Sequence, residues 1–383
     1  MEREIEILAG EERGYQVALM RITGIGPANT RKLIGAFGNA AAVFRSSIPA
    51  LIQTGISKES AVAIKNFHDD AAVNAELHQL KKKGIRPLFI SDGDYPGKLR
   101  DLTEIPPLLF YKGNADLNAH KIVAIVGTRN PSEYGREVTR QLVRQMARPG
   151  LLIISGLALG IDAAAHRAAL ENLLPTIGIL GHGLGHLYPP ENVPLAKEML
   201  SNGGLLTSYA YGDKPAAHQF PDRNKLIAAL CDALVVVETG KKGGSMLSVS
   251  EARKYNRPIF AVPGRIMDTR SAGCNWLIRH DMATMLTSGE QISADLNWSW
   301  PQGGSGIQTA LPLPSTATHT TAPEDKLLRL LKQNDSLGID EISAESGISP
   351  SSLALLLLNL ELTGLIRALP GKRYKFNAPV THA

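Results

Sequence analysis

The sequence predicts an α/β protein built around a doubly wound, mostly parallel sheet. Between about residues 120 and 297, short apolar, β-branched segments alternate with helical patterns. Near-continuous apolar strands spaced by helices are typical of a parallel sheet that is covered on both faces. A helical region precedes this part of the chain, and a Gly-, Pro-, Ser- and Thr-rich segment separates it from a second helical region. A chain of 383 residues accommodates two or three such domains at about 100–200 residues each.

Residues 1–80 predict an all-helical domain that resembles SAM and helix-hairpin-helix domains. Apolar residues recur at helical spacing in Gln16–Met20, Asn29–Phe37 and Ser57–Leu80. The turn Ile22–Pro27 has the apolar-x-Gly-apolar-Gly pattern of a helix hairpin, and Thr54-Gly55-Ile56 repeats it weakly. Backbone amides in such a turn can point at a DNA phosphate. A small packing domain with a tight glycine turn is the equally open alternative.

Residues 81–119 are expected to be a connector with short extended pieces, and the sheet is expected within residues 120–297. Helices are predicted at Glu133–Ala147, Ile161–Glu171, Val193–Ser201, Pro221–Leu230, Ser245–Tyr255 and Asn275–His280. Strands are predicted at Lys121–Val126, Leu151–Ile154, Thr176–Leu180, Gly204–Thr207, Ala233–Val237, Pro258–Val262 and Ala283–Leu286.

Residues 298–323 predict a flexible linker, because 301–323 carry no charged side chain and are rich in Gly, Pro, Ser and Thr. Residues 324–383 then show three helical patterns and a hairpin, which indicates a winged helix. Its charges balance, and basic residues cluster only on the wing at Arg367, Lys372, Arg373 and Lys375. Protein contact is therefore favoured over DNA binding for this module, with both left open.

The net charge of +5 lies entirely in the central segment. Between His120 and Glu290 there are 19 basic and 14 acidic residues, and the remainder has 22 of each. An excess of this size is ordinary for the length, but its position favours a polyanion-binding middle domain. The two cysteines, Cys231 and Cys274, form no metal-binding pair and fit a cytoplasmic protein. The N-terminus lacks a signal-peptide pattern, and no stretch reads as a membrane helix.

Small and basic residues follow several predicted strands where each strand ends. In an open parallel sheet these ends form one rim, and ligands bind there. Glycines there allow a phosphate to approach the backbone, while Arg and Lys supply donors. Together these turns predict an anion site; tight strand-to-helix connections around an empty rim are the alternative. The residues concerned are Gly127, Thr128, Arg129, Ser132, Ser155, Gly156, Lys241, Lys242, Gly243, Gly244 and Ser245.

An aromatic residue stands beside basic and amide side chains at a predicted helix start. Phe220 precedes Arg223, Asn224 and Lys225 in this segment. An aromatic face next to cationic donors suits a stacked nucleobase and its phosphate. Taken alone, Phe220 is more typical of a core position.

Enzyme signatures are missing from these turns. No GxGxxG or GxxxxGK[ST] sequence occurs in the expected context, and no His/Cys/Asp cluster has metal-ligand spacing. Asp162 and His166 are four residues apart and can form an acid–base pair, although a capping aspartate and a satisfied buried histidine are favoured. No catalytic residue, metal or cofactor is therefore assigned.

Seven segments occurring in order closely resemble the bacterial DNA-processing protein A family, also called DprA or Smf. They are VGTRNPSEYG (126–135), SGLALGIDAAAH (155–166), LYPPEN (187–192), FPDRNKLIAAL (220–230), VVVETGKKGGSM (235–246), AVPG (261–264) and AGCNWLIR (272–279). The resemblance implies a Rossmann-like, homodimeric domain that binds single-stranded DNA. It also implies protection of incoming DNA and loading of the RecA recombinase in natural transformation, without catalysis. The family's DNA-binding residues correspond to Arg129, Arg223 and Asn224.

Departures from the family pattern remove two expected positive charges, since Asp222 and Pro190 stand where basic residues are usual. We expect Lys214, Lys225, Lys241 and Lys242 to compensate. Two other functions stay open. A nucleotide phosphoribohydrolase would use Glu238 beside the Gly243-Gly244 loop, and an interaction scaffold would recruit partners through the winged helix.

Overall fold

A computed structural model of the chain describes residues 12–300, 322–334, 336–349, 352–353, 356–357, 360–361, 365–369 and 373–376. They fall into two units that divide between Pro301 and Gln302. Residues 301–321 of the predicted linker lie outside the described residues, as do Lys372 and most of the predicted third helix of the winged domain.

The N-terminal region is helical, as predicted, and its helices begin at residues with a capping function. Asn39, Ser47 and Ser57 each accept a hydrogen bond from the backbone N–H three residues further on. The predicted pattern 57–80 divides into two helices around residues 66–69, and two short helices precede it. The helices are α1 (Glu12–Arg21), α2 (Pro27–Phe37), α3 (Ala40–Arg45), α4 (Ile48–Gln53), α5 (Lys58–Lys65) and α6 (Asp70–Lys82).

The Ile22–Pro27 turn joins α1 and α2 as a helix hairpin. Gly24 has a φ of +87°, a conformation that favours glycine. Pro27 then occupies the first turn of α2, where its missing N–H costs nothing.

A nine-stranded sheet forms the body of the first unit, in the order β1-β2-β6-β5-β4-β3-β7-β8-β9. Strands β3 to β9 are parallel to one another. At one edge of the sheet, β2 runs antiparallel to both of its neighbours, β6 and β1. This confirms the mostly parallel α/β class. The strands are β1 (Arg86–Phe89), β2 (Leu108–Gly113), β3 (Lys121–Gly127), β4 (Leu151–Ser155), β5 (Thr176–Leu180), β6 (Gly203–Thr207), β7 (Ala233–Val237), β8 (Ile259–Ala261) and β9 (Thr284–Met285).

Two predicted domain limits need correction. The expected connector 81–119 supplies β1 and β2, and β2 pairs directly with β6 in the sheet. At the other end, Trp298 and Trp300 pack against the core, so the linker does not begin at residue 298. The N-terminal helices also pack against the sheet, because Val17 and Val73 share an apolar cluster with Phe89 and Phe110.

Helices cover both faces of the sheet, and each face has its own apolar core. Helix α7 begins at the predicted N-cap Ser132, whose hydroxyl accepts the N–H of Gly135. Strand β3 pairs with β4 on one side and β7 on the other, which creates a topological switch point between β3 and β7. The helices are α7 (Glu133–Met146), α8 (Ile161–Glu171), α9 (Val193–Met199), α10 (Gln219–Leu230), α11 (Ser245–Lys254), α12 (Ala272–Arg279) and α13 (Gly289–Asp295).

The second unit has the helices and hairpin of a winged helix. Helices α14 (Ala322–Gln333) and α15 (Ile339–Ser346) pack with a sheet of order β10-β12-β11. Its strands are β10 (Leu337–Gly338), β11 (Ile366–Leu369) and β12 (Arg373–Phe376). On the wing, the Arg373 guanidinium donates to the Ser336 carbonyl at 2.7 Å, so this cation has a structural role.

Candidate nucleic-acid interface

A cleft of about 440 Å³ opens at the switch point, at the carboxyl ends of β3 and β7. Nine of the predicted site residues line it. They are Gly127, Thr128, Arg129, Phe220, Arg223, Asn224, Gly243, Gly244 and Ser245. The cleft therefore brings together the turns after β3 and β7 and the first turns of α10, which are separated by up to about a hundred residues in sequence.

Glycine is required where the turn after β3 meets β7. A Cβ on Gly127 would lie 1.9 Å from the Val237 carbonyl oxygen, so a side chain cannot be accommodated. Next to it, the Thr128 N–H donates to the Glu238 carbonyl at 2.7 Å. The two turns are thereby fixed against each other, and their backbone forms one wall of the cleft.

Glu238 supports this wall from the protein interior. It is buried, and its carboxylate accepts the Ser132 hydroxyl and, at 2.8 Å, the Ser132 N–H. A Cβ on Gly135 would lie 2.4 Å from this carboxylate, which explains the glycine there. The Ser132 hydroxyl is thus bound to Glu238 and does not line the cleft, so its DNA contact stays a prediction that this geometry does not support. Glu238, the expected catalytic residue of the enzyme alternative, is also outside the cleft lining.

Asp162 and Arg223 form the floor of the cleft. The Asp162 carboxylate accepts the N–H groups of Gly156 and Ala158, at 3.1 and 3.3 Å, and so shapes the turn after β4. Burial raises the pKa of Asp162, while Arg223, 4.0 Å away, opposes that shift.

Arg223 is a buried residue rather than an extended surface cation. It is 7% exposed, and its Nη1 donates to the carbonyls of Gly156 and Ile179. Burial lowers the pKa of its guanidinium. A Cβ on Gly156 would overlap this Nη1 at 1.5 Å, so Gly156 serves the packing of Arg223. Arg223 therefore holds the floor of the cleft through these two carbonyls, and because it also lines the cleft, its contact with DNA stays a prediction.

Two guanidinium groups lie close to the Phe220 ring. The Cζ atoms of Arg129 and Arg223 are each 5.7 Å from its ring centroid. This distance is within the range of cation–π attraction. Arg129, unlike Arg223, is exposed and makes no ion pair within the described part of the chain. Arg223 is thus a buried cation near the ring, and Arg129 is an exposed one that a ligand can reach.

Asn224 presents an unused amide to the cleft. It is 9% exposed and lines the cavity, but its side chain has no hydrogen-bond partner among the described residues. The Asn224 amide keeps access to the cleft, so water or a ligand can pair with it. On the adjacent residue, the Nε of Arg223 is buried and has no partner, but it is out of reach of the cleft. Asn224 is therefore an accessible hydrogen-bonding group at this end of the cleft.

The predicted lysines differ in their surroundings. Lys241 and Lys242 are exposed on the turn after β7 and form no ion pair in the described regions. Lys214 is exposed on the loop between β6 and α10. Lys225 instead pairs with Asp222 at 2.8 Å, and this contact raises its pKa. Lys225 does not line the cleft, so its expected compensating charge is already neutralised.

Two further predictions, the DNA contact of Ser155 and the acid–base pair of Asp162 and His166, concern buried residues. Ser155 has no exposed surface, its hydroxyl donates to the Ile125 carbonyl at 2.6 Å, and it does not line the cleft, so this geometry gives its predicted DNA contact no support. His166 is also fully buried and bonds to Thr176 at 2.7 Å rather than to Asp162. Burial lowers the pKa of His166 to about 3. The acid–base pair is therefore absent between these two residues, although His166 Nε2 has no partner.

Sequence reasoning missed several residues that shape the cleft. The Asn192 amide donates to the carbonyls of Leu157 and Ala158, both at 3.0 Å, and holds the turn after β4. Thr239, which accepts the hydroxyl of the predicted Ser245 at 2.6 Å, fixes the glycine turn after β7. Asn192 stands in the quoted LYPPEN segment, which was the only signal of its importance.

Within the described residues, no cluster of His, Cys, Asp and Glu side chains has the arrangement of a metal site. None of the helices found there combines the length and apolarity that crossing a membrane requires.

The fold and the cleft define a Rossmann-like α/β protein with a ligand site at its switch point. The family model for DNA recombination-mediator protein A matches residues 86–297, and the DprA winged helix domain model matches residues 311–372. The chain therefore belongs to the DNA recombination-mediator protein A (DprA/Smf) family.

Curated and solved relatives agree with this assignment. Protein Smf from Synechocystis is 30% identical over 96% of this chain and 100% of its own length. DNA processing protein DprA from Streptococcus pneumoniae is 38% identical over 60% of this chain and 79% of its own. The X-ray structure of the S. pneumoniae protein has a TM-score of 0.66 at 32% identity, covering 74% of this chain and 97% of that one.

A second solved relative is described by its single-stranded DNA binding mode. It is DNA processing protein A from Helicobacter pylori, with a TM-score of 0.50 and 32% identity, covering 56% of this chain and 95% of that chain.

Proposed function

We propose that this protein binds single-stranded DNA in the cleft between β3, β7 and α10. The observation that carries the proposal is a set of exposed, unpaired cations beside a glycine-built wall. Arg129, Lys241 and Lys242 are exposed on the rim of the cleft without an ion pair in the described regions, and the Asn224 amide lines the cleft with no hydrogen-bond partner there. Backbone amides and unpaired cations suit phosphate oxygens.

The shape of the cleft favours a single strand over a duplex. Its volume of about 440 Å³ accommodates groups the size of one nucleotide. Phe220 lines the cleft and offers a ring against which a base can stack. A duplex keeps its base faces stacked inside, so it cannot use this ring without unpairing.

The enzyme alternative has less support. A phosphoribohydrolase needs a carboxylate that reaches its substrate, whereas Glu238 is buried against Ser132. Asp162 lines the cleft, but it is committed to the amides of Gly156 and Ala158. We therefore propose a binding protein rather than a catalyst, acting in the cytoplasm.

The test is equilibrium binding of the full chain to labelled oligonucleotides. Fluorescence anisotropy would compare a 20-nucleotide single strand with a duplex of the same length across a salt series. We expect tighter binding of the single strand and an affinity that falls linearly with salt on logarithmic axes. Preference for the duplex, or ribose release from nucleoside monophosphates, would contradict the proposal.

Family membership also supports two finer proposals, which are RecA loading in natural transformation and a homodimer built on the central domain. For the first, this protein should speed the onset of RecA ATP hydrolysis on a strand coated with single-strand-binding protein. For the second, the full chain should sediment as a dimer at micromolar concentration. A monomer at every concentration tested would contradict the dimer.

A further inference from the structure

The turn that follows β8 exposes two large apolar side chains. Ile266 and Met267 are 91% and 88% exposed. They occupy the central positions of a turn closed by the Asp268 N–H, which donates to the Arg265 carbonyl at 3.0 Å. Gly, Pro, Asn, Asp and Ser dominate such positions. Neither turn formation nor core packing therefore explains an isoleucine–methionine pair here.

The base of this turn is firmly held. The Asn275 side chain both accepts the Gly264 N–H at 3.1 Å and donates to its carbonyl at 2.9 Å. The Tyr134 hydroxyl donates to the Pro263 carbonyl at 2.9 Å. Beyond the tip, the Gly273 N–H donates to the Thr239 carbonyl at 2.7 Å. The apolar tip is thus presented on a supported loop, which reduces the entropy that a contact would cost.

The same loop is tied to the DNA site. The Arg270 Nε donates at 3.2 Å to the carbonyl of Asn130, the residue that follows Arg129. A Cβ on Gly240, in the turn after β7, would be 4.0 Å from the Thr269 carbonyl oxygen. The tip therefore extends from the rim that carries the unpaired cations, and in the described regions Arg265 beside it has no ion pair either.

We propose that the Ile266–Met267 tip contacts nucleobases of the single strand whose phosphates bind the rim of the cleft. This inference rests on the proposed function. It adds a second DNA-contact area, outside the cleft. Apolar side chains are used elsewhere to contact base faces.

Charge complementarity selects this occupant. Arg265, Arg129, Lys241 and Lys242 would attract a polyanion along the path to the tip. A second copy of the chain would bring the same cations to the interface, and like charges oppose such a contact. A duplex would hide the base faces that the tip needs.

The experiment uses the full chain with Ile266→Ser and Met267→Ser combined. Leu173→Ser is the matched control, because Leu173 is 84% exposed but precedes β5, at the amino ends of the parallel strands, whereas the tip follows β8 at their carboxyl ends. Each protein is titrated with an oligothymidine and with an abasic oligomer of equal length, which keeps the phosphates and lacks the bases. We expect the double variant to bind oligothymidine about tenfold more weakly, the scale of one lost base contact. Its affinity for the abasic oligomer and its salt slope should match the wild type.

Other results would overturn this inference. They are an unchanged affinity for oligothymidine, an equal loss on both oligomers, or a loss shared by Leu173→Ser. A changed sedimentation coefficient with unchanged DNA binding would assign the tip to a contact between copies instead. Failure of the proposed function is distinguishable, because the wild-type protein would then bind neither oligomer.

Discussion

Replacing Arg129 with alanine should weaken DNA binding while leaving the stability of the fold nearly unchanged. The Arg129 side chain is exposed and makes no hydrogen bond or ion pair in the described part of the chain. Its guanidinium makes a cation–π approach to Phe220, with 5.7 Å between Cζ and the ring centroid. Such a contact contributes about 0.5–1 kcal/mol at an exposed site. We therefore expect the free energy of unfolding to fall by no more than about 1 kcal/mol.

The effect on DNA binding should be larger. A charge-assisted hydrogen bond to a phosphate contributes about 1.5–3 kcal/mol, which corresponds to a loss of about 10- to 150-fold in affinity. One fewer phosphate contact should also reduce the slope of log K against log salt by about 0.7 for a single strand. The loss should be similar for different base sequences, because phosphates carry no sequence information.

The assay is an anisotropy titration at several salt concentrations, accompanied by thermal melts. Arg144→Ala is a suitable control, since Arg144 is exposed in the last turn of α7, at the other end of that helix from the cleft. Unchanged affinity and slope in a folded Arg129→Ala protein would refute the role of Arg129. An equal loss in Arg144→Ala would show that general charge, rather than this position, determines binding.

Four further outcomes are expected. Arg223→Met should lower the free energy of unfolding by about 3 kcal/mol, because it leaves buried Asp162 without its cation; chemical denaturation measures this. His166 stays neutral when folded, so its contribution is complete above pH 6.5 and is lost as pH falls towards 3. His166→Asn should therefore flatten stability against pH in that window by up to about 1.4 kcal/mol per pH unit. Asp222→Lys should raise DNA affinity about threefold and steepen its salt dependence, since a carboxylate near the strand is replaced by a cation. Deleting residues 302–383 should leave single-strand affinity within about threefold, because that unit is nearly neutral; a hundredfold loss would contradict this.

Local sequence patterns predicted the parallel sheet well. Strands such as Thr176–Leu180 and Ala233–Val237 were predicted at their observed limits, since continuous apolar runs of this length fit only a buried strand between turns. The antiparallel edge was not predicted. Strands β1 and β2 are held by pairing with distant β6, and no local pattern in residues 81–119 specifies that partner.

The site was predicted at the level of turns but not of individual side chains. Glycines after β3 and β7 marked the cleft, because backbone approach needs them whatever the side chains do. Ser155 and Arg223 looked accessible in sequence, but their burial depends on contacts with Ile125 and with Gly156 and Ile179. A hydroxyl or guanidinium beside a glycine can serve the backbone or a ligand equally well. Only the three-dimensional neighbours decide between these roles.

Hydrogen–deuterium exchange of the full chain, with and without a saturating oligothymidine, tests the location of the DNA site most directly. The proposed cleft predicts slower exchange at amides 127–132 and 239–248, and no change in the Ile22–Pro27 hairpin or in α14. Protection confined to the hairpin or to the winged-helix unit, with the cleft amides unchanged, would contradict it.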